Sequence, residues 1–170
     1  MRLKLFIALV VVAIFCLPAP AAQNSKDNAE AWGKTKWGMT TAEVKETVGG
    51  EFEEKQIDGK QTLIRREYPI LSLSFLLSFS FGDHGLERVD LLAESFHVSQ
   101  ENADNLIASL SAKYGKYLSF EEVPVAGDFH FKYKWVSSSS FIEAEYTIMP
   151  KLKFQSFTVK YRPVAEPDSL

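Results

Sequence analysis

Residues 71–81 read LSLSFLLSFSF. Leucine or phenylalanine stands at every second position, and serine fills most of the positions between them. Side chains of a β-strand alternate between the two faces of a sheet, so this pattern predicts a strand with one apolar face and one face of mostly small polar side chains. A helix does not produce strict alternation over this length, because its period is 3.6 residues.

A tight turn with the sequence Gly-Asp-His-Gly follows this strand, and residues 86–95 are predicted to return as its partner. The register that pairs Phe79 with Val89 and Leu77 with Leu91 keeps both apolar sets on one face. The stretch therefore predicts an antiparallel hairpin.

Two helices are predicted from capping signals. Thr40, with Glu43 three residues later, matches the capping-box pattern, and Gly49 ends this first helix. Ser99 is the predicted N-cap of the second helix, which Gly115 closes. Apolar residues between Ser99 and Gly115 follow helical spacing, so this helix is expected to pack on a core.

Five further strands are predicted. Two of them, 52–57 and 60–68, flank the turn dipeptide Asp58-Gly59, and Pro69 is expected to end the second. Three more follow the second helix, because apolar and polar residues alternate there. These three strands contain the alternating residues of 129–135, 142–148 and 157–161.

The last three strands can be paired from side-chain chemistry. Folding at the serine run 137–140 places the apolar residues of the two neighbouring strands opposite each other, and the charged residues too. The expected partners are Trp135 with Ile142, Phe131 with Tyr146, Lys134 with Glu143 and Lys132 with Glu145, and a second fold at Pro150-Lys151 brings Lys160 to Glu143. The predicted fold is α+β, an antiparallel sheet of about six to seven strands with two helices packed on one face.

The first two dozen residues predict export. Arg2 and Lys4 precede an apolar run, 5–17, and small residues follow at 18–22. This order is typical of a secretory signal peptide, which we place at 1–22. A permanent membrane anchor is the less favoured alternative, because the apolar run is shorter than the roughly 20 residues that a spanning helix needs.

Export predicts a periplasmic or extracellular protein. Residues 23–31 are predicted to be a disordered leader, 32–162 a single α+β domain, and 163–170 a disordered tail. No later apolar run is long enough to predict a membrane span after signal cleavage.

Composition excludes several classes of function for the processed chain. Cys16 is the only cysteine and is expected to leave with the signal peptide, which removes disulfides, thiol catalysis and zinc held by cysteine. Cleavage also removes Arg2 and Lys4 and leaves 17 basic against 22 acidic side chains, a formal charge of −5. Nucleic-acid binding is therefore not expected, because it requires a concentrated basic surface.

The sequence Gly38-Met39-Thr40-Thr41-Ala42-Glu43-Val44, followed by Gly49, resembles the opening of two related groups. These are the outer-membrane assembly lipoproteins of the BamE/SmpA type and proteins with the beta-lactamase inhibitor protein fold. Uncharacterised exported bacterial proteins share more, including Trp37-Gly38-Met39, Gly85-Leu86 and Lys113-Tyr114-Gly115. The resemblance implies a helix packed on an antiparallel sheet, and little chemistry, since its residues are mainly capping residues.

No catalytic, cofactor-binding or metal-ligating residue is predicted. The three imidazoles, His84, His97 and His130, fall in a turn, a loop and a strand, without metal-ligand spacing. Glu143 and Glu145 share a strand face, where lysine partners favour a charge ladder over acid–base catalysis.

Five residues are candidate partner contacts. Trp32 is the tryptophan expected to be exposed, because it adjoins the leader, and Trp37 is expected beside the first helix. Ser74 and Ser78 lie on the serine-rich strand face, which is either a contact surface or plain solvent surface, and His84 lies at a turn. We predict a non-catalytic exported module that binds an envelope or secreted protein, with no oligomeric state specified. The alternative is a small exported hydrolase that uses His84 or His130 with a nearby carboxylate.

Overall fold

The computed structural model describes residues 29–164, which form two α-helices and an eight-stranded antiparallel sheet. The predicted signal peptide lies outside the described residues. The strands follow the order β1-β2-β3-β4-β8-β7-β6-β5 across the sheet. The elements in chain order are α1 (Thr41–Val48), β1 (Glu53–Ile57), β2 (Lys60–Ile70), β3 (Leu73–Gly82), β4 (Gly85–Ala93), α2 (Gln100–Tyr114), β5 (Ser119–Val125), β6 (Asp128–Val136), β7 (Ser140–Met149) and β8 (Phe154–Pro163). The predicted α+β class is confirmed.

Both helices begin and end at the predicted residues. The Thr40 side chain accepts a hydrogen bond from the Glu43 backbone N–H, and the Glu43 carboxylate accepts one from the Thr40 backbone N–H, so the capping box is present. Ser99 caps α2 through the Asn102 N–H, and the caps at the other ends are Gly49 and Gly115. These caps satisfy backbone groups that a helix end leaves without partners.

The predicted strand register is confirmed in all three hairpins that alternation specified. The β3–β4 pair joins Phe79 to Val89 and Leu77 to Leu91, as the apolar faces require. The β6–β7 and β7–β8 pairs contain the other predicted partners, which are Trp135 with Ile142, Phe131 with Tyr146, Lys134 with Glu143, Lys132 with Glu145, and Lys160 with Glu143.

The predicted strand number of six to seven is wrong, because the sheet has an eighth strand, β5, that apolar alternation does not predict. β5 pairs with β6 along its whole length and forms one edge of the sheet. Its sequence, SFEEVPV, contains two adjacent glutamates and Pro124, which interrupt apolar alternation. An edge strand tolerates such residues because one side of its backbone has no neighbouring strand.

The connection between β2 and β3 also differs from the prediction. β2 does not end at Pro69 but continues to Ile70, and Pro69 pairs with Ser74. Leu71, expected at the start of the central strand, lies in the turn with φ of +52° and is exposed. A bulge between Arg65 and Tyr68 shifts the register of β2 and leaves Leu63 and Tyr68 on the same face.

The two faces of the sheet differ in composition. The apolar face carries the buried side chains of the central strands, and α1 and α2 contribute Val44 and Leu106 to the same core. We call the opposite side the polar face. Its central positions are Ser74, Leu76, Ser78, Ser80, Asp90, Leu92, Thr158, Lys160, Glu143, Glu145, Lys132 and Lys134.

Residues of the predicted leader and tail make contacts with the sheet. Ala31 is 4% exposed and joins the core, and the Glu30 carbonyl accepts hydrogen bonds from the Ser139 and Ser140 hydroxyls, both 2.7 Å. At the other terminus, the Val164 N–H donates to the Ser139 carbonyl. Both ends of the described chain therefore meet at the β6–β7 loop.

Candidate functional site

The two candidate tryptophans are half-buried and pack against other residues of the domain. Trp32, expected to be exposed, is half-buried and lies edge-on to Tyr68 and Phe79. The indole N–H of Trp37 donates to the Ser139 carbonyl and the Ser140 hydroxyl, at 3.0 and 3.1 Å. These contacts attach the segment before α1 to the sheet.

The two candidate serines lie on the polar face and are half-buried. The Ser74 hydroxyl donates to the Glu94 carboxylate at 3.0 Å, and Ser78 stands in register between Ile64 and Asp90. Their small side chains are flanked by larger neighbours, so they do not form a protruding contact surface.

His84 is exposed in the two-residue turn between β3 and β4. The backbone beside it is fixed, because the Gly38 N–H donates to the Leu86 carbonyl and the Leu86 N–H donates to the Met39 carbonyl. The five predicted partner residues therefore do not converge on one site: Trp37 and Trp32 hold the N-terminal segment, the serines lie on the polar face, and His84 is at a turn.

Charges on the polar face form a cross-strand ladder that includes the unpredicted strand β5. Lys134 stands opposite Glu143 as expected, but its ammonium donates to Glu121 of β5 at 2.9 Å. This hydrogen bond lowers the pKa of Glu121 and raises the pKa of Lys134. Lys160 lies 3.9 Å from Glu143, and Lys132 lies 4.0 Å from Glu145. Each of these lysines has a carboxylate on a neighbouring strand, so the arrangement favours a charge ladder on the sheet surface over a catalytic site.

His130 has a carboxylate and a hydroxyl close to one ring nitrogen. Its Nδ1 lies 2.9 Å from a Glu145 oxygen and 3.3 Å from the Thr147 hydroxyl. In a hydroxyl–imidazole–carboxylate relay the two partners bond to different ring nitrogens, so that the base can take a proton on one side while the acid orients it from the other. Both partners of His130 approach the same nitrogen, which does not match this geometry.

Within the described chain, the polar face also contains one unpaired buried carboxylate oxygen and one small depression. The Asp90 Oδ2 atom accepts from the Arg88 guanidinium at 2.6 Å, while its buried Oδ1 has no hydrogen-bond partner among the described residues. A depression of about 50 Å³ is lined by Phe141, Glu143, Lys160 and Arg162. That volume is comparable to one or two water molecules and much smaller than an ordinary ligand pocket.

A cluster of aromatic side chains lies where β5 and β6 form the sheet edge. We call it the aromatic patch, and it consists of Tyr117, Phe120, Phe129, Phe131 and Tyr133. Phe120 is 46% exposed and Phe129 is 38% exposed. Their rings lie nearly parallel to that of Phe131, each with its centroid 6.5 Å away. Contiguous exposed aromatic surface on a soluble domain is typical of an interaction site.

Sequence reasoning missed the exposure of this patch. The alternation of Phe129 and Phe131 with polar residues predicted apolar positions, and half-buried Phe131 and Tyr133 do pack against the core. Phe120 was not predicted because it lies on β5. The turn residues Ala126 and Gly127 are a signal that could have identified the β5–β6 hairpin.

Within the part of the chain that the structure covers, no three His, Cys, Asp or Glu side chains are grouped so that they could hold a metal ion. Neither helix in residues 29–164 combines the length and apolar character needed to cross a membrane.

No protein-family model matches the chain, and comparisons with curated proteins and with solved structures find no significant match. The resemblance to the BamE/SmpA type and to the beta-lactamase inhibitor protein fold therefore stays a prediction.

Proposed function

We propose that this protein is a non-catalytic exported domain that binds an envelope or secreted protein through the aromatic patch. The observation that carries the proposal is the exposure of Phe120 and Phe129 beside the stacked ring of Phe131. Aromatic residues are enriched at the centre of protein interfaces, because they bury large area at low conformational cost. Export is supported by the sequence pattern of residues 1–22.

The placement of the helices supports this choice of surface. We infer that both helices pack on the apolar face: the carbonyls of Val48 and Gly49, at the end of α1, accept hydrogen bonds from Arg65, and Tyr114 of α2 lies edge-on to Tyr161. These contacts fall on β2 and β8, and the Trp135 indole N–H of β6 donates to the Gly115 carbonyl at the end of α2. The rings of the aromatic patch continue the apolar face to the β5–β6 edge, where Phe120 and Phe129 stay exposed.

The charge beside the patch indicates the chemistry of the partner. Glu122 is exposed, stands opposite Phe131, and has no ion pair among residues 29–164. A partner that presents apolar side chains together with a lysine or arginine would complement both features. A second copy of this chain is less suitable, because docking by the same patch would bring two Glu122 carboxylates into one interface.

Site-specific photo-crosslinking tests the proposal. A benzophenone amino acid at position 120 or 129 should crosslink one protein in the envelope fraction, while the same group at Ile57 should not. Ile57 is a matched control, because it is 42% exposed and lies on β1 at the opposite edge of the sheet.

The captured protein is then purified and its affinity is measured. Phe129→Ser should weaken binding by about 30-fold or more, as expected for an interface hot spot, and Ile57→Ser should leave it unchanged. Equal crosslinking at positions 57, 120 and 129, or full affinity of the Phe129→Ser variant, would contradict the proposal.

The hydrolase alternative has less support from geometry. His84 lies beside Asp83 in an exposed turn and makes no side-chain hydrogen bond or ion pair within residues 29–164, and both partners of His130 approach one nitrogen. In neither arrangement does one ring nitrogen of the histidine bond to an orienting carboxylate while the other ring nitrogen faces a nucleophile.

A further inference from the structure

A second apolar surface lies at the end of the sheet where β7 turns into β8. The β4–α2 loop runs beside this turn, because the Gln155 N–H donates to the Phe96 carbonyl at 2.8 Å and the Val98 N–H donates to the Gln155 carbonyl at 3.3 Å. The rings of Phe96 and Phe154 lie 5.6 Å apart. We call this surface the tip and define it as residues 150–154 together with Phe96.

The tip contains two of the most exposed apolar side chains among the described residues. Leu152 is 73% exposed and Phe96 is 66% exposed. Beside them lies an open depression of about 220 Å³, lined in part by Ile148, Met149 and Phe154. Leaving large apolar side chains in water is unfavourable, so a contiguous set of them is typical of a docking surface.

Two lysines flank the exposed leucine. Lys151 and Lys153 are both exposed, and neither forms an ion pair within residues 29–164. The turn that carries them is ordered by its own backbone: Pro150–Leu152 form a 3₁₀ turn, and the Lys153 N–H donates to the Pro150 carbonyl. The sequence Lys-Leu-Lys is thus presented on a projecting turn.

We propose that the tip docks on a lipid surface with anionic headgroups. Leu152 and Phe96 would enter the boundary between headgroups and acyl chains, and Lys151 and Lys153 would lie at the phosphates. The favoured occupant is a bilayer because Leu152 projects from a turn with a lysine on each side, and exposed Phe96 lies beside it on the β4–α2 loop. A second copy would place the same lysines against each other.

The first and last described residues lie away from the tip. Ala29 and Val164, the first and last described residues, lie at the opposite end, where the β6–β7 loop accepts the contacts of Glu30 and Val164. The described part of the chain therefore begins and ends at the end of the sheet that is remote from the tip.

Vesicle co-sedimentation tests the inference. The protein is purified after export from cells that express the full sequence, and mass spectrometry defines its N-terminus. Wild-type protein should bind vesicles of equal parts phosphatidylglycerol and phosphatidylcholine, and not vesicles of phosphatidylcholine alone. Binding should weaken strongly in 1 M salt, where the Debye length falls to about 3 Å.

The F96S/L152S variant should lower the partition coefficient at least about 10-fold. The K151Q/K153Q variant should lower it about 30-fold.

Matched controls separate the tip from general charge and hydrophobicity. Leu118→Ser removes an equally exposed leucine at the other end of the sheet, and K34Q/K116Q removes the same charge from two exposed lysines. Both controls should bind vesicles as the wild type does. Binding that is equal in tip variants and controls, or no binding to anionic vesicles, would overturn the inference. A protein partner lost only by the tip variants, without vesicle binding, would overturn it as well.

Discussion

Gly85 and Gly38 are in close backbone contact, and a Cβ atom placed on Gly85 would lie 2.2 Å from the Gly38 carbonyl oxygen. The hydrogen bonds of Gly38 and Met39 with Leu86 hold these segments together. Two stretches on which the predicted resemblance rests, Trp37-Gly38-Met39 and Gly85-Leu86, are therefore joined in space. The close approach of the two backbones requires glycine at position 85, and the positive φ of +85° favours glycine at position 38.

This contact predicts that Gly85→Ala destabilises the protein more than Gly127→Ala. Both glycines have nearly the same φ, +90° and +93°, but a Cβ on Gly127 would meet no atom within 4 Å. Gly127→Ala should cost about 1 to 2 kcal/mol, the ordinary cost of a side chain in the left-handed region. Gly85→Ala should cost about 2 kcal/mol more, because the backbones must separate and lose hydrogen bonds. Urea unfolding measures both values, and equal losses of stability would contradict the prediction.

Trp37→Phe should loosen the segment before α1. The substitution removes the indole N–H that bonds to the Ser139 carbonyl and the Ser140 hydroxyl. We expect a loss of about 1 to 2 kcal/mol and faster amide hydrogen exchange in residues 29–37. Trp32→Phe is the matched control, because Trp32 contacts Tyr68 and Phe79 through its ring. Unchanged exchange in the Trp37→Phe variant would show that these bonds do not hold the segment.

Stability should fall at alkaline pH because of Tyr161. Burial raises the pKa of Tyr161 well above its usual value of 10.0, and the neighbouring Tyr114 raises it further. The unfolded chain releases this proton near pH 10 while the folded protein retains it. The contribution to stability is therefore complete below pH 10 and is lost progressively as pH rises above 10, by at most about 1.4 kcal/mol per pH unit.

Urea unfolding between pH 8 and pH 11.5 measures this dependence. Tyr161→Phe has no proton to release, so its stability should decline less steeply than that of the wild type over the same range. Parallel decline of the two proteins would contradict the assignment to Tyr161. Burial also raises the pKa of Tyr146 and of Tyr133, so the variant should keep part of the alkaline decline.

The hydrolase alternative has a direct test in the two histidines. Wild-type protein and the H84A/H130A variant are compared on generic ester, peptide and glycoside substrates. We expect both to show only the uncatalysed rate, because His130 lacks a nucleophile opposite its carboxylate partner. Turnover by the wild type that is lost in H84A/H130A would favour the enzyme over the binding module.

The sequence by itself determined the local and nearest-neighbour features of this protein. The caps of α1 and α2 depend on residues three or four positions apart, and the β3–β4 and β6–β7–β8 registers follow from matching alternation on adjacent strands. These features can be predicted from sequence because side-chain periodicity and capping interactions involve residues that are close together along the chain.

Only the tertiary structure decided which surfaces remain open. β5 forms because β6 provides a pairing partner, although apolar and polar residues alternate poorly in the sequence of β5. Trp32 packs against Tyr68 and Phe79 instead of being exposed. Likewise, Phe120 and Leu152 are exposed because no described element packs over them. Burial depends on which distant segments meet, and alternation along one strand carries no information about what covers either of its faces.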